Sequence, residues 1–122
     1  MNTLIWIIQS LMAVLFTVHG IAMFNPPPSV QESVVKKMGY SLGFLKIIGT
    51  LEVLGGLGLI LPSWTQIAPV LSPLAALGLA TIMTSAAVSH ARQGEGKQTA
   101  ATTVVALLVA FIAIGRFWLT PI

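Results

Sequence analysis

Residues 53–91, VLGGLGLILPSWTQIAPVLSPLAALGLATIMTSAAVSHA, run for 39 positions without a Lys, Arg, Asp or Glu. A helix that crosses a bilayer needs roughly 20 predominantly apolar residues, so this run is too long for one crossing and suits two joined by a turn. The turn is legible within it as PSWTQIAP, residues 62–69, where two prolines bracket Ser63, Thr65 and Gln66. Residues 1–31 are uncharged as well. The first span runs from about Thr3 to Phe24 and is closed by Pro26-Pro27-Pro28, where consecutive prolines remove backbone donors. Its amino-terminal side has no Lys or Arg, and its apolar run is too long for a signal-peptide core, so it is expected to remain as a helix.

Working outward gives four spans, at about 3–24, 43–61, 70–89 and 99–119, in one membrane domain covering residues 1–122. The polar connector after the first span includes VQESVVKKMGY, which predicts a short interfacial helix over about 29–38. The expected fold is all-α, a transmembrane four-helix bundle with both termini on the same side. Lys36, Lys37, Arg92 and Lys97 fall on the two connectors of one side, and only Arg116 lies on the other. The positive-inside rule makes those connectors cytoplasmic and the termini outer; Trp6, Trp64 and Trp118 gather on the outer side as an interfacial belt. The expected location is a multi-pass protein of the bacterial inner (plasma) membrane.

Composition agrees and excludes other classes. Only 7% of the 122 residues are charged, against about 25% in soluble domains. The net charge of +3 is scattered along the chain and forms no basic stripe, so nucleic acid is not an expected partner. The absence of cysteine rules out disulfides, thiolate metal sites and thiol relays within the chain. Two histidines with no H-x-x-x-H or E-x-x-H spacing predict no metal.

The polar residues inside the spans carry the candidate chemistry. Glu52 lies about 13 Å into a core about 30 Å thick, near the midplane. An ionised acid facing lipid there costs several kcal/mol, so Glu52 is expected to face the bundle interior, as a candidate catalytic acid or as a structural carboxyl bonded to a neighbouring helix. Gly49 and Gly56 share its helical face and leave a groove for another helix or a flat ligand. His19, about 7 Å deep from the same side, is level enough to meet Glu52 or Lys46; a His–Glu pair suits proton handling near neutral pH. Lys46 sits about 240° around the helix from Glu52 and is expected to snorkel. Thr81, Ser85 and Ser89 make a polar stripe expected to bond between helices. His90 and Arg92 are placed to border the mouth of a pocket. Arg116 reads either as a snorkelling residue or as a cation awaiting an anionic group in the bundle.

Phe16 and Gly20 in the first span, GTLEVLGGLGLILP around Glu52, HARQGE after the third span and Gly115-Arg116-Phe117 near the end together resemble the DoxX-like small membrane proteins, over nearly the whole chain. The resemblance implies a four-helix membrane architecture. Some relatives resemble a subunit of thiosulfate:quinone oxidoreductase, and some eukaryotic relatives look like assembly chaperones. Where relatives often carry a lysine three residues after the first-helix glycine, this chain has Met23.

Two functional readings stand. In the first, the protein binds a lipophilic molecule, with quinone as the candidate cofactor, beside Glu52 and His19. Gly49, Gly56, Ser85, His90, Arg92 and Arg116 are the candidate ligand-binding residues. A membrane or soluble redox partner supplies electrons to what would be an oxidoreductase subunit. In the second, the chain is a non-catalytic assembly protein that pairs with itself or another subunit through small-residue faces. A third reading makes Glu52 the general acid of an intramembrane acid–base enzyme.

Overall fold

The computed structural model describes residues 1–121. Helix α1 spans Asn2–Ala22; α2 spans Pro28–Val30 and continues in π-helical turns over Gln31–Lys37; α3 spans Leu42–Thr65, α4 Leu71–Arg92 and α5 Gly96–Ile114, the last continuing in π-helical turns over Gly115–Leu119. No strand occurs among the described residues. Four helices are long and apolar enough to cross a membrane, the fourth being α5 with its π-helical extension. The protein is a multi-pass, all-helical integral membrane protein.

Its surface is apolar where that of a soluble bundle would be polar. On α1, Leu4, Ile7, Leu11, Val14, Val18 and Ile21 are all exposed, at alternating spacings of three and four that mark one helical face. Continuous apolar faces of this extent are aggregating in water and stable against acyl chains. The interior is built from Met12, Ala13 and Phe16 of α1, Leu59 of α3, Ala76, Leu79 and Met83 of α4, and Val109, Ile112 and Ala113 of α5.

Helices α1 and α3 touch backbone to backbone. A Cβ placed on Gly49 would lie 2.5 Å from the Gly20 carbonyl oxygen, and one on Gly56 2.7 Å from Thr17 Oγ1. Because lipid supplies no hydrophobic drive for helix association, such close approach is what holds these two helices together.

Helix α3 does not stop at Pro62, as the proline alone suggests, but runs on to Thr65. Neighbouring helices satisfy the backbone around it. The Gln9 side-chain amide donates to the Leu59 carbonyl and to Ser63 Oγ, and the Ser63 N–H donates to Ser72 Oγ at 3.2 Å. Proline is tolerated inside membrane helices under these conditions. The chain then reverses through left-handed backbone at Gln66 and Ala68, while the connector turns place glycine at their left-handed positions, Gly39 and Gly94.

Candidate functional site

Glu52 is 1% exposed, and its Oε1 lies 2.9 Å from His19 Nδ1. The meeting follows from the glycine contact. His19 adjoins Gly20, and Glu52 stands one turn beyond Gly49, so the backbone approach that Gly20 and Gly49 permit sets the reach of the acid–imidazole pair. Glu52 Oε2 is buried with no hydrogen-bond partner. A buried polar atom left unmatched costs about 1–3 kcal/mol, which marks this oxygen as a position where a hydrogen-bond partner belongs.

Beside it lies a cavity of about 620 Å³, lined by Phe16, His19, Ile48 and Glu52 on one side and by Ile82, Ser85, His90 and Val105 on the other. Val30, Ser33, Val34 and Met38 of the connector form a further wall. The volume lies within the range of small-molecule sites, and the lining is apolar with a few converging polar groups, as such sites are. Helices α1 and α5 meet near the chain termini, where Gly115 packs on Ile5 and Arg116 reaches Gln9. Toward the connectors the cavity separates them, and His19, 52% exposed along its side chain, stands at its open edge.

The connector wall is tied down by Glu95. Its carboxylate accepts from Ser33 Oγ at 2.7 Å and pairs with His90 Nδ1 at 2.7 Å. The bonds from His90 and then Ser33 hold the Glu95 carboxyl below its ordinary value. Tyr40 Oη lies 3.3 Å from Ser89 Oγ and fastens the other end of the connector to α4.

Of the residues expected at the site, Glu52, His19, Ser85 and His90 line one cavity. Gly49 and Gly56 do not; the groove they leave is filled by α1. Arg92 is exposed and stands outside the lining. Arg116 is not part of this cavity either. It is 3% exposed, so it does not snorkel, and it is bonded to Gln9, Asn2 and Thr120. The polar stripe on α4 is also corrected. Thr81 and Ser85 donate to the carbonyls of Leu77 and Thr81 in their own helix, a local option always open to a helical hydroxyl, and of the three only Ser89 meets another segment. Lys46 is exposed, away from the pair.

Sequence reasoning missed Gln9, whose signal was an amide in an otherwise apolar run at a depth matching Arg116. It also missed the connector as a wall of the cavity, for which Val30, Val34 and Met38 on one side of the helix were the available sign.

The sequence profile of the DoxX-like family matches residues 7–112. No curated protein and no solved structure matches the chain. With the profile spanning most of the 122 residues and four membrane-length helices in place, the chain belongs to the DoxX-like family.

Proposed function

We propose that the protein binds a lipophilic small molecule carrying a hydrogen-bonding head, with quinone the best-fitting class, in the cavity beside Glu52. The observation that carries this reading is the unpartnered Glu52 Oε2 at the edge of an apolar void with His19 alongside. A quinone ring is flat and apolar with two carbonyl acceptors. The Glu52 carboxyl can donate from Oε2 to one of them when it carries a proton, and the apolar walls take up the ring and its isoprenoid tail. The gap between α1 and α5 is the natural entrance from the bilayer.

Reduction of a quinone to the quinol takes two electrons and two protons. In this reading a partner subunit supplies the electrons, and the Glu52–His19 pair relays protons to the carbonyl oxygens, each proton given up being replaced through the half-exposed imidazole. The protein is then an accessory subunit of an oxidoreductase in a bacterial plasma membrane, with its termini on the outer face. An assembly role through small-residue faces is less well supported, because Gly56 and Ala76 are buried within the chain itself.

The test is titration of decylubiquinone into the full chain in phosphatidylcholine nanodiscs. Saturable binding in the wild type, weakened at least about tenfold in Glu52→Leu, supports the proposal, since leaving a buried quinone carbonyl without its donor costs about 1–3 kcal/mol. No saturable binding, or binding by Glu52→Leu equal to that of the wild type, refutes it.

A further inference from the structure

The terminal end of the bundle holds a second unusual group. Arg116 is 3% exposed, yet no carboxylate pairs with it among the described residues. Its Nε donates to Gln9 Oε1 at 2.9 Å, and its Nη1 donates to Asn2 Oδ1 at 2.6 Å and to the Thr120 carbonyl and hydroxyl at 3.0 and 3.2 Å. The Trp6 ring lies 5.0 Å from the guanidinium carbon. All of these partners are neutral. Nη2, with two N–H donors, is buried and has no partner at all.

No acidic side chain among the described residues is spare for this cation. Its acidic residues are Glu32, Glu52 and Glu95. Glu32 pairs with Lys36, Glu52 with His19 and Glu95 with His90. From Val105, the last residue of α5 on the Glu52 cavity, to Arg116 the helix rises about 16 Å, so the two sites are separate. A buried charge without a counter-charge is costly, and none of the described residues supplies one to Arg116.

Beside Arg116 lies a cleft of about 290 Å³ walled by Pro69, Val70, Pro73, Phe117 and Pro121. The prolines contribute no N–H, so Arg116 is the cleft's cationic donor and its other walls are apolar. Trp64, in the last turn of α3 five residues before Pro69, and Trp118, next to Phe117, are 74% and 73% exposed, and exposed tryptophans of membrane helices settle at headgroup depth. A free, fully hydrated anion gains nothing from such walls. A phosphodiester that brings its own glycerol and acyl chains does.

We infer that Arg116 Nη2 and the Pro69–Pro73–Phe117 cleft bind the headgroup phosphate of an anionic glycerophospholipid. The lipid supplies the missing negative charge, the planar guanidinium supplies charge-assisted donors to a phosphate oxygen, and the cleft accepts the glycerol region. The same arginine ties the first helix to the last through Asn2 and Gln9, so the bound lipid steadies the closed end of the bundle.

The experiment places the full chain in dioleoylphosphatidylcholine nanodiscs containing a minor fraction of dioleoylphosphatidylglycerol, extracts it into dodecyl maltoside, and counts retained lipid by native mass spectrometry. The wild type is expected to retain phosphatidylglycerol in preference to phosphatidylcholine, and Arg116→Gln to lose that retention at least about tenfold, with Arg116→Lys between them. Val70→Trp fills the cleft without touching the Gln9–Arg116 bonds; it is expected to lose the lipid while melting as the wild type does in lipid-free detergent, and it decides the matter if Arg116→Gln does not fold. A parallel arm adds inorganic phosphate to lipid-free protein and follows the melting temperature. Equal phosphatidylglycerol retention by wild type and Val70→Trp, or stabilisation by inorganic phosphate matching that by phosphatidylglycerol, overturns the lipid assignment.

Discussion

Replacing Gly49 by alanine is a direct probe of how the site is held. The added Cβ would stand 2.5 Å from the Gly20 carbonyl oxygen, while ordinary contact begins at 3.4 Å. Both groups belong to helix backbone, so relief requires α1 and α3 to move apart by about 0.9 Å, enough to carry a 2.9 Å His19–Glu52 contact beyond hydrogen-bonding range. The buried carboxyl then loses its partner at a cost of about 1–3 kcal/mol. Alanine in mid-helix would otherwise stabilise by about 0.5–1 kcal/mol relative to glycine, and this opposing gain makes the sign of the result informative. Gly78 supplies the control: a Cβ there meets nothing within 4 Å, so Gly78→Ala should be neutral or mildly stabilising. The assay is unfolding in mixed dodecyl maltoside and SDS micelles, together with ¹⁵N NMR of ring-labelled histidine in a His90→Gln background, where the remaining signal is His19. Gly49→Ala is expected to be destabilised and to shift the His19 ring resonances toward those of Glu52→Leu. Wild-type stability and an unshifted His19 signal in Gly49→Ala would refute the claim that the glycine contact sets the pair.

Gln9→Leu removes the acceptor of Arg116 Nε and the donor to Leu59 and Ser63, and should cost about 1.5–3 kcal/mol in the same unfolding assay; Ser10→Leu, on an exposed position one residue away, should cost far less. The folded Glu95 carboxyl is held below its ordinary value, so the stability it contributes is present at neutral pH and is lost as pH falls through the folded value, below the ordinary carboxylate range. The melting temperature should therefore drop on acidification more steeply in the wild type than in Glu95→Gln, and parallel curves would contradict the Glu95 tether. Ser33→Ala releases the connector from that carboxylate and should speed proteolysis at Lys36 and Lys37 at neutral pH, an effect absent from Ser29→Ala.

The membrane class and its four spans were legible because charge is so scarce: an uncharged run of 39 residues admits few other readings. Glu52 could be turned inward on energetic grounds alone, and His19 could be set near it by counting residues from the connector side. What could not be read is how partners divide. Gly49 and Gly56 mark a close approach without saying whether a helix or a ligand makes it, and the structure gives both to α1. The hydroxyls of Thr81 and Ser85 have a carbonyl of their own helix within reach at all times, so periodicity does not say which way they bond. Pro62 looked like a terminus because its tolerance depends on Gln9 and Ser72, residues 53 positions before it and 10 after it. The connector became a wall of the cavity through Glu95, a contact over 62 positions that no local pattern encodes.

The most direct measurement is photolabelling of the full chain in nanodiscs with an azido-substituted ubiquinone analogue, with the adducts mapped by mass spectrometry. Labels on Phe16, Ile48, Ile82 and Val105, competed by decylubiquinone and lost in Glu52→Leu, are the expected result. Labels spread over the lipid-facing Ile7, Leu54 and Leu77, unchanged by competitor or by loss of the carboxyl, would mean that the cavity beside Glu52 is not a ligand site.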